Sequence, residues 1–206
     1  MKAREQLGRG AWVIYEPSWL EPAHADRGFR QLLEEATWVE RPIFAFGRPV
    51  MQPRLIDWGG SVPYRYSGQT LEQRAMHPWV EGLRARLAEA LDTPFNHAVL
   101  NLYRDGRDHV SMHADNEPEL GKDPLIASIS LGGVRAFDAK RKTDKRRRRR
   151  WRLAHGSLLV MGGTFQHRWR HSVPVCAEAK ARINITFRYL LRSPPGDPRT
   201  PATSAG

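Results

Sequence analysis

The chain has 206 residues, 33 Lys/Arg against 22 Asp/Glu, a formal charge of +11 and one cysteine. This length suits one domain with a real core; no apolar run approaches the roughly 18 residues of a membrane span, and a single cysteine excludes an intramolecular disulfide or a cysteine-built zinc site. The charge is uneven, because residues 140–152 hold ten Lys/Arg and one Asp, leaving +2 to the other 193 residues.

Residues 1–10, MKAREQLGRG, lack the apolar stretch of a secretory leader and are expected to be flexible, with a single folded domain over 11–192. Phe29, Leu32, Leu33 and Ala36 recur at helical spacing and predict a helix over 26–36. Residues from about 41 to 69 mix aromatics, arginines and turn formers without a clean period. A second helix starts at Pro78, carries Val80, Leu83, Leu87 and Leu91 on one face, and stops at Asp92-Thr93-Pro94. Both apolar stripes are core, packed outside a sheet. Val99–Tyr103 alternates, with Asn101 and Tyr103 opposite Leu100 and Leu102.

HVSMHADNE follows, with His113 and Asp115 two residues apart and so on one face of extended chain. His171 comes 58 residues later in RWRHSVP. Two imidazoles and one carboxylate form the facial triad of non-haem Fe(II) oxygenases, which leaves positions open for a cosubstrate and O2. Between these motifs the run KRKTDKRRRRRWR, residues 140–152, is too charged to pack and lies as a loop or hairpin tip between two strands. It suits a phosphate-backbone clamp; a solvated insertion or a localisation signal are the alternatives. Near the end, Arg182, Asn184, Thr186 and Arg188 alternate with Ile183, Ile185, Phe187 and Tyr189, the pattern of a half-buried strand. Its arginines suit a bidentate carboxylate. The tail over 193–206, rich in Pro, Gly, Ser and Thr, is expected to be disordered.

Other groups read as structural. His155 precedes a turn, His24, His77, His97 and His109 show no partner pattern, and the His167/His171 pair lacks the glutamate of a zinc-protease helix. Cys176 reads as a small packed residue.

Taken in order, NLYRDGRDHVSMHADNEPEL, PLIASISLGG, HGSLLVMGG, HSVP and RINITFRY resemble the AlkB family of Fe(II)/2-oxoglutarate dioxygenases, nearest its members acting on double-stranded DNA. The resemblance covers roughly residues 40–190. It implies a mainly β fold with α (α+β): a double-stranded β-helix, or jelly-roll, core with supporting N-terminal helices and a nucleotide-recognition lid at about 41–69. It implies Fe(II) on His113, Asp115 and His171. It places 2-oxoglutarate against Asn101, Tyr103, Arg182, Asn184 and Arg188, and makes O2 the oxidant. Within the lid it assigns Phe46 as a finger entering the base stack and Tyr66 as the platform for a flipped base, with Ser67, Tyr64 and Arg54 nearby and Trp58 as an alternative stacking residue. Glu117 would meet the exocyclic amine of the base, and Arg146, Arg147 and Arg148 the phosphates. Asn116 departs from the acid usual in those relatives, and Pro49 and Val50 replace bulkier polar residues in the finger.

The expected reaction is oxidative demethylation of alkylated bases, of the 1-methyladenine or 3-methylcytosine type. The expected partner is alkylated DNA, duplex or single-stranded, met by a monomer away from membranes, in the cytoplasm, at a bacterial nucleoid or in a eukaryotic nucleus. The rivals are the same chemistry on RNA or on a protein side chain, and a non-enzymatic basic nucleic-acid-binding module.

Overall fold

A computed structural model describes residues 2–45, 47–66 and 69–191. The chain runs β1 (Glu5–Gly8), β2 (Ala11–Glu16), α1 (Pro22–Glu35), β3 (Pro42–Ala45), β4 (Arg48–Met51), β5 (Leu55–Gly60), β6 (Tyr64–Tyr66), β7 (Gln69–Leu71) and α2 (Pro78–Leu91). It continues through β8 (His97–Tyr103), β9 (Val110–His113), a short 3-10 turn, β10 (Ile126–Gly132), β11 (Arg135–Arg141), β12 (Arg148–Leu153), β13 (Ser157–Gly163), the single-turn α3 (Phe165–Arg168), β14 (Trp169–Val173) and β15 (Arg182–Arg188).

Seven strands form a major sheet in the order β1-β2-β13-β10-β15-β8-β5, and four form a minor sheet, β12-β11-β14-β9. Alternation along the strands divides the interior into two layers. Leu100, Leu102, Ile129, Leu131, Ile183, Ile185 and Phe187 face α1 and α2, meeting Leu32, Val80, Leu83 and Leu87. The opposite residues face the minor sheet, where Val13, Ile126, Leu159 and Met161 meet Phe137, Ala139, Trp151 and Val173. The half-buried strand expected at 182–188 is buried on both sides throughout. Its polar face looks into the interval between the sheets, not into solvent.

Both helices begin with proline in the first turn, where its missing N–H costs nothing. That preference moves the start of α1 from the expected position 26 to Pro22. α2 ends where expected, with Asp92 in the left-handed region and its N–H on the Ala88 carbonyl. His77, without a visible partner in the sequence, caps α2: its Nδ1 accepts from the Trp79 N–H at 3.2 Å.

The N-terminal stretch differs from the flexible segment expected over 1–10. Residues 5–8 pair antiparallel with β2 and extend the major sheet by one strand. Leu7 is buried in the inner layer, and it is this contact that orders the segment. Cys176 is exposed instead of packed. Its backbone does the packing: the amide donates to Gly106 O at 2.8 Å, and a Cβ at Gly106 would stand 1.7 Å from the Cys176 carbonyl. The lid interval is divided. β3–β4 and β6–β7 are separate hairpins, and β5 between them is the edge strand of the major sheet. Arg41 donates to Gln69 Oε1 (3.2 Å) and Gln69 Nε2 donates to Pro42 O (2.8 Å), tying the hairpin bases together. The tail over 193–206 lies outside the described residues.

Candidate active site

Register brings the site together. β9 and β14 pair so that His113 and His171 stand directly opposite, with ring centroids 4.3 Å apart. Asp115 lies just beyond the end of β9. One donor atom from each of His113, Asp115 and His171 falls within 4.8 Å of the other two. The His113 ring has Nδ1 at 2.8 Å from Ser111 O, so Nδ1 carries the proton and Nε2 points its lone pair toward Asp115 Oδ1, 3.4 Å away. His171 is buried against Phe137, its ring stacked at 5.1 Å, and its Nδ1 has no hydrogen-bond partner among the described residues. Burial pushes the His171 imidazole down to about 3, the His113 ring adding to the effect, so it is a neutral nitrogen donor.

Asp115 is held from three sides. Arg188 donates to its Oδ2 from Nη2 (2.6 Å) and Nε (3.2 Å), leaving Oδ1 toward the histidines. Burial opposes ionisation, but the Arg188 guanidinium holds the carboxyl well below the usual carboxylate range. The Asp115 backbone N–H donates to Gln166 Oε1 at 3.0 Å. Gln166 is fully buried on α3, and Lys142 Nζ in turn donates to the Gln166 carbonyl at 2.8 Å.

Next to the triad a hollow of about 460 Å³, open mouth included, is lined by polar residues of β8, β10 and β15. Tyr103 pairs with Arg182, Asn101 with Asn184, and Asn184 with Ser130, so these side chains form one inward-facing lattice. Arg182 is fully buried; its Nη2 donates to Ser130 Oγ (2.9 Å), while Nε and Nη1 have no acceptor among the described residues. A buried guanidinium with two unmatched donors calls for an anion. Asn184 is engaged with Ser128 Oγ (2.7 Å), Ile129 O and Thr186 Oγ1, so it stiffens the lattice. The chemistry therefore fits both groups. Two imidazoles and one carboxylate suit a divalent iron, and the cationic pocket beside them suits a small dicarboxylate such as 2-oxoglutarate.

Arg54 and Tyr64, expected on the lid, sit deeper. Arg54 Nε donates to Asn101 Oδ1 at 2.6 Å and lines the hollow, because residue 54 leads directly into β5 of the major sheet. Tyr64 is wholly buried, edge-on to His97 and 5.6 Å from Arg188. Trp58 is not a free stacking surface: the Arg41 and Arg74 guanidiniums lie 4.6 and 4.3 Å from its ring. Its N–H donates to Glu72 O.

Glu117 stands half-buried beside this network. Burial and the Asp115 charge raise its pKa, with Arg188 and Tyr64 opposing. Phe46 and Ser67 lie outside the described residues, as does the side chain of Tyr66. Of the arginines assigned to phosphates, Arg147 pairs with Asp144 at 3.7 Å. Arg146 lies in the turn of the β11–β12 hairpin and Arg148 opens β12. The basic run is thus half strand, not a loop throughout.

Sequence reading missed Gln166, Ser128, Ser130 and Arg135. The serines were visible in principle, since ASISL alternates. Arg135 was not: it is buried, donates to Asp105 O, Asp108 O and Pro174 O, and lies 5.4 Å over Tyr103, opposite Arg182 at 5.1 Å. His97 is fully buried, and His167 pairs with Asp123 away from the triad.

Comparison with known proteins agrees with this geometry. Residues 13–188 match the 2OG-Fe(II) oxygenase superfamily. The chain is 35% identical over 196 residues to the human alpha-ketoglutarate-dependent dioxygenase alkB homolog 3, covering 90% of this chain and 68% of that one. It is 37% identical over 182 residues to the mouse DNA oxidative demethylase ALKBH2, covering 82% and 76%. The solved structure of OsALKBH1 superposes with a TM-score of 0.63 over 90% of this chain and 99% of that one, at 14% identity, a likeness of fold.

Proposed function

The chain belongs to the 2OG-Fe(II) oxygenase superfamily, in its AlkB branch, and from that premise we propose that it demethylates alkylated bases in DNA, with 1-methyladenine and 3-methylcytosine as the substrate type. The observation that carries this reading is the adjacency of the His113–Asp115–His171 cluster to the unmatched, buried guanidinium of Arg182.

His113, Asp115 and His171 would hold Fe(II), and Arg182 with Tyr103 would hold the distal carboxylate of 2-oxoglutarate. When bound, with O2, these would supply oxidative decarboxylation to succinate and CO2 coupled to hydroxylation of an N-methyl group, which then leaves as formaldehyde. The protein's own contribution is placement. Arg188 fixes which Asp115 oxygen is free, Gln166 fixes its backbone, and Asn101 with Arg54 closes the pocket wall. Phe46 fills the gap left by a flipped base, Tyr66 stacks on that base, Ser67 lies beside it and Glu117 accepts from its exocyclic amine. Arg146 and Arg148 meet phosphates. On this reading the protein acts as a monomer, and Fe(II) favours a reducing compartment such as the cytoplasm or nucleus. Among the described residues no helix is long and apolar enough to cross a membrane.

The test is a panel of methylated oligonucleotides, single-stranded DNA, duplex DNA and RNA of one sequence, with loss of the methyl mass read by mass spectrometry. Loss from DNA that stops when 2-oxoglutarate is withheld is expected. Loss from RNA alone moves the substrate to RNA, and loss from none overturns the reading.

A further inference from the structure

The Tyr103 ring meets two guanidiniums, one from each sheet. Arg182 stands beside it in the β8–β15 register, 5.1 Å from the ring centre. Arg135 opens β11 of the minor sheet and shares the inward face with Phe137 and Ala139. Its guanidinium lies 5.4 Å from the same ring. Arg135 and Tyr103 are both buried. A guanidinium near a tyrosine ring is attracted by the ring's quadrupole, and the attraction grows when both are dry.

Arg135 is not neutralised. Its Nη1 donates to Asp105 O (3.3 Å) and its Nη2 to Asp108 O (2.8 Å) and Pro174 O (2.6 Å), all backbone oxygens. The carboxylates of those two aspartates are taken by Arg107 and Arg104, at 2.7 and 2.8 Å. Arg135 Nε has no acceptor among the described residues. A neutral donor ties backbone carbonyls at lower cost than a buried cation, which is favoured where an anion arrives nearby. Burial pushes the Arg182 pKa down and the Arg135 charge adds to this, with Tyr103 opposing. The pair of cations is therefore unfavourable until a negative group joins it. Tyr103 and Arg182 line the hollow and Arg135 does not, so its influence on a ligand passes through the ring it holds.

We propose that Arg135 is a positioning residue for the cosubstrate: from the minor sheet it holds the Tyr103 ring beside Arg182, and so makes the pocket select a 2-oxo acid that carries a distal carboxylate. This rests on the reading of the hollow as the 2-oxoglutarate pocket and deepens it. The alternative is a structural tie, since Asp105 and Asp108 precede β9 with His113 and Pro174 follows β14 with His171.

The experiment measures binding by calorimetry to the protein loaded with Co(II), which does not turn over. Two ligands are compared, 2-oxoglutarate and 2-oxovalerate, which has a methyl group where the distal carboxylate stands. Arg135→Gln keeps a donor for the carbonyls and removes the charge. It is expected to weaken 2-oxoglutarate by about 3- to 30-fold and leave 2-oxovalerate and Co(II) affinity unchanged. Arg135→Lys, which keeps a cation but not the planar fork, should fall between Arg135→Gln and the wild type. In a Tyr103→Leu background the Arg135→Gln effect on 2-oxoglutarate should shrink, because the ring it acts through is gone. In turnover, KM for 2-oxoglutarate should rise by the factor found in binding, with KM for the methylated oligonucleotide unchanged. Equal weakening of both acids, weakened Co(II) binding, unchanged 2-oxoglutarate affinity, or a full Arg135→Gln effect in the Tyr103→Leu background overturns the proposal. Loss of Co(II) binding in Arg135→Lys as well marks the residue as a tie of the fold and does the same. Wild-type protein with no preference for 2-oxoglutarate over 2-oxovalerate overturns the pocket reading itself, a failure visible before any variant is made.

Discussion

Arg182 shows how one residue can be costly to the fold and necessary to the chemistry. Its guanidinium is fully buried with two donors unmatched, which burial penalises strongly. Replacing it with methionine, similar in length and apolar, should leave the ligand-free protein as stable or up to about 1 kcal/mol more stable. The same change should remove the thermal stabilisation that 2-oxoglutarate gives the wild type. Melting curves with and without 2-oxoglutarate check both halves; a variant that loses stability yet keeps the ligand shift contradicts the assignment.

Gln166 acts one step further out. Gln166→Leu leaves the Asp115 N–H buried without an acceptor, at a cost of about 1–3 kcal/mol. Metal affinity should fall by about 10- to 100-fold, as for other changes to groups that orient a ligand. Titration with Co(II), followed by its visible bands, measures this without turnover.

His97 makes a pH prediction. Burial, with Arg188 second, pushes its pKa down to about 3 from 6.5. The folded chain therefore keeps His97 neutral while the unfolded chain takes up a proton below pH 6.5. Its contribution is intact above pH 6.5 and is lost as pH falls toward 3, by up to about 1.4 kcal/mol per pH unit. Urea midpoints measured from pH 7 to 4 should decline less steeply in His97→Gln than in the wild type.

The triad and the arginine strand were legible at this scale because a period of two places alternate residues on one face whatever the tertiary context. Gln166 and Arg135 were not, since the groups they serve lie 51 residues away for Asp115 and up to 39 away for Pro174.

At the scale of elements, the two main helices were legible from apolar spacing and stop signals, and α2 ends at Asp92 as its sequence predicts. β1 was not legible, because EQLG has one apolar residue and becomes a strand by pairing with β2. The aperiodic interval at 41–69 concealed β5, which belongs to the barrel while its flanking hairpins do not. Those hairpins are joined at their bases through Arg41, Gln69 and Pro42. If they grip the substrate together, Gln69→Ala should raise KM for duplex DNA by up to about 30-fold, the loss of two hydrogen bonds worth about 1 kcal/mol each. KM for 2-oxoglutarate should stay constant. Steady-state kinetics in each substrate separate the two, and a matched rise in both would place the effect in the pocket, not the lid.

Over the whole molecule, the layers divide the labour. Apolar strand faces and two helices build the core on one side of the major sheet, while the other side gathers the polar faces of β8, β10 and β15 into one pocket beside the triad. The overall charge of +11 pointed to a polyanion. Which cations are available to it was fixed only by strand register, which pairs some arginines with acids and sets others side by side.

If the pocket and the triad form one site, 2-oxoglutarate decarboxylation is coupled there to base demethylation. The most direct test measures succinate and formaldehyde together on a 3-methylcytosine oligonucleotide, for the wild type and Asp115→Ala. Equal amounts of both products from the wild type, and neither above background from the variant, are predicted. Formaldehyde released without succinate, or released by Asp115→Ala at the wild-type rate, would contradict the account.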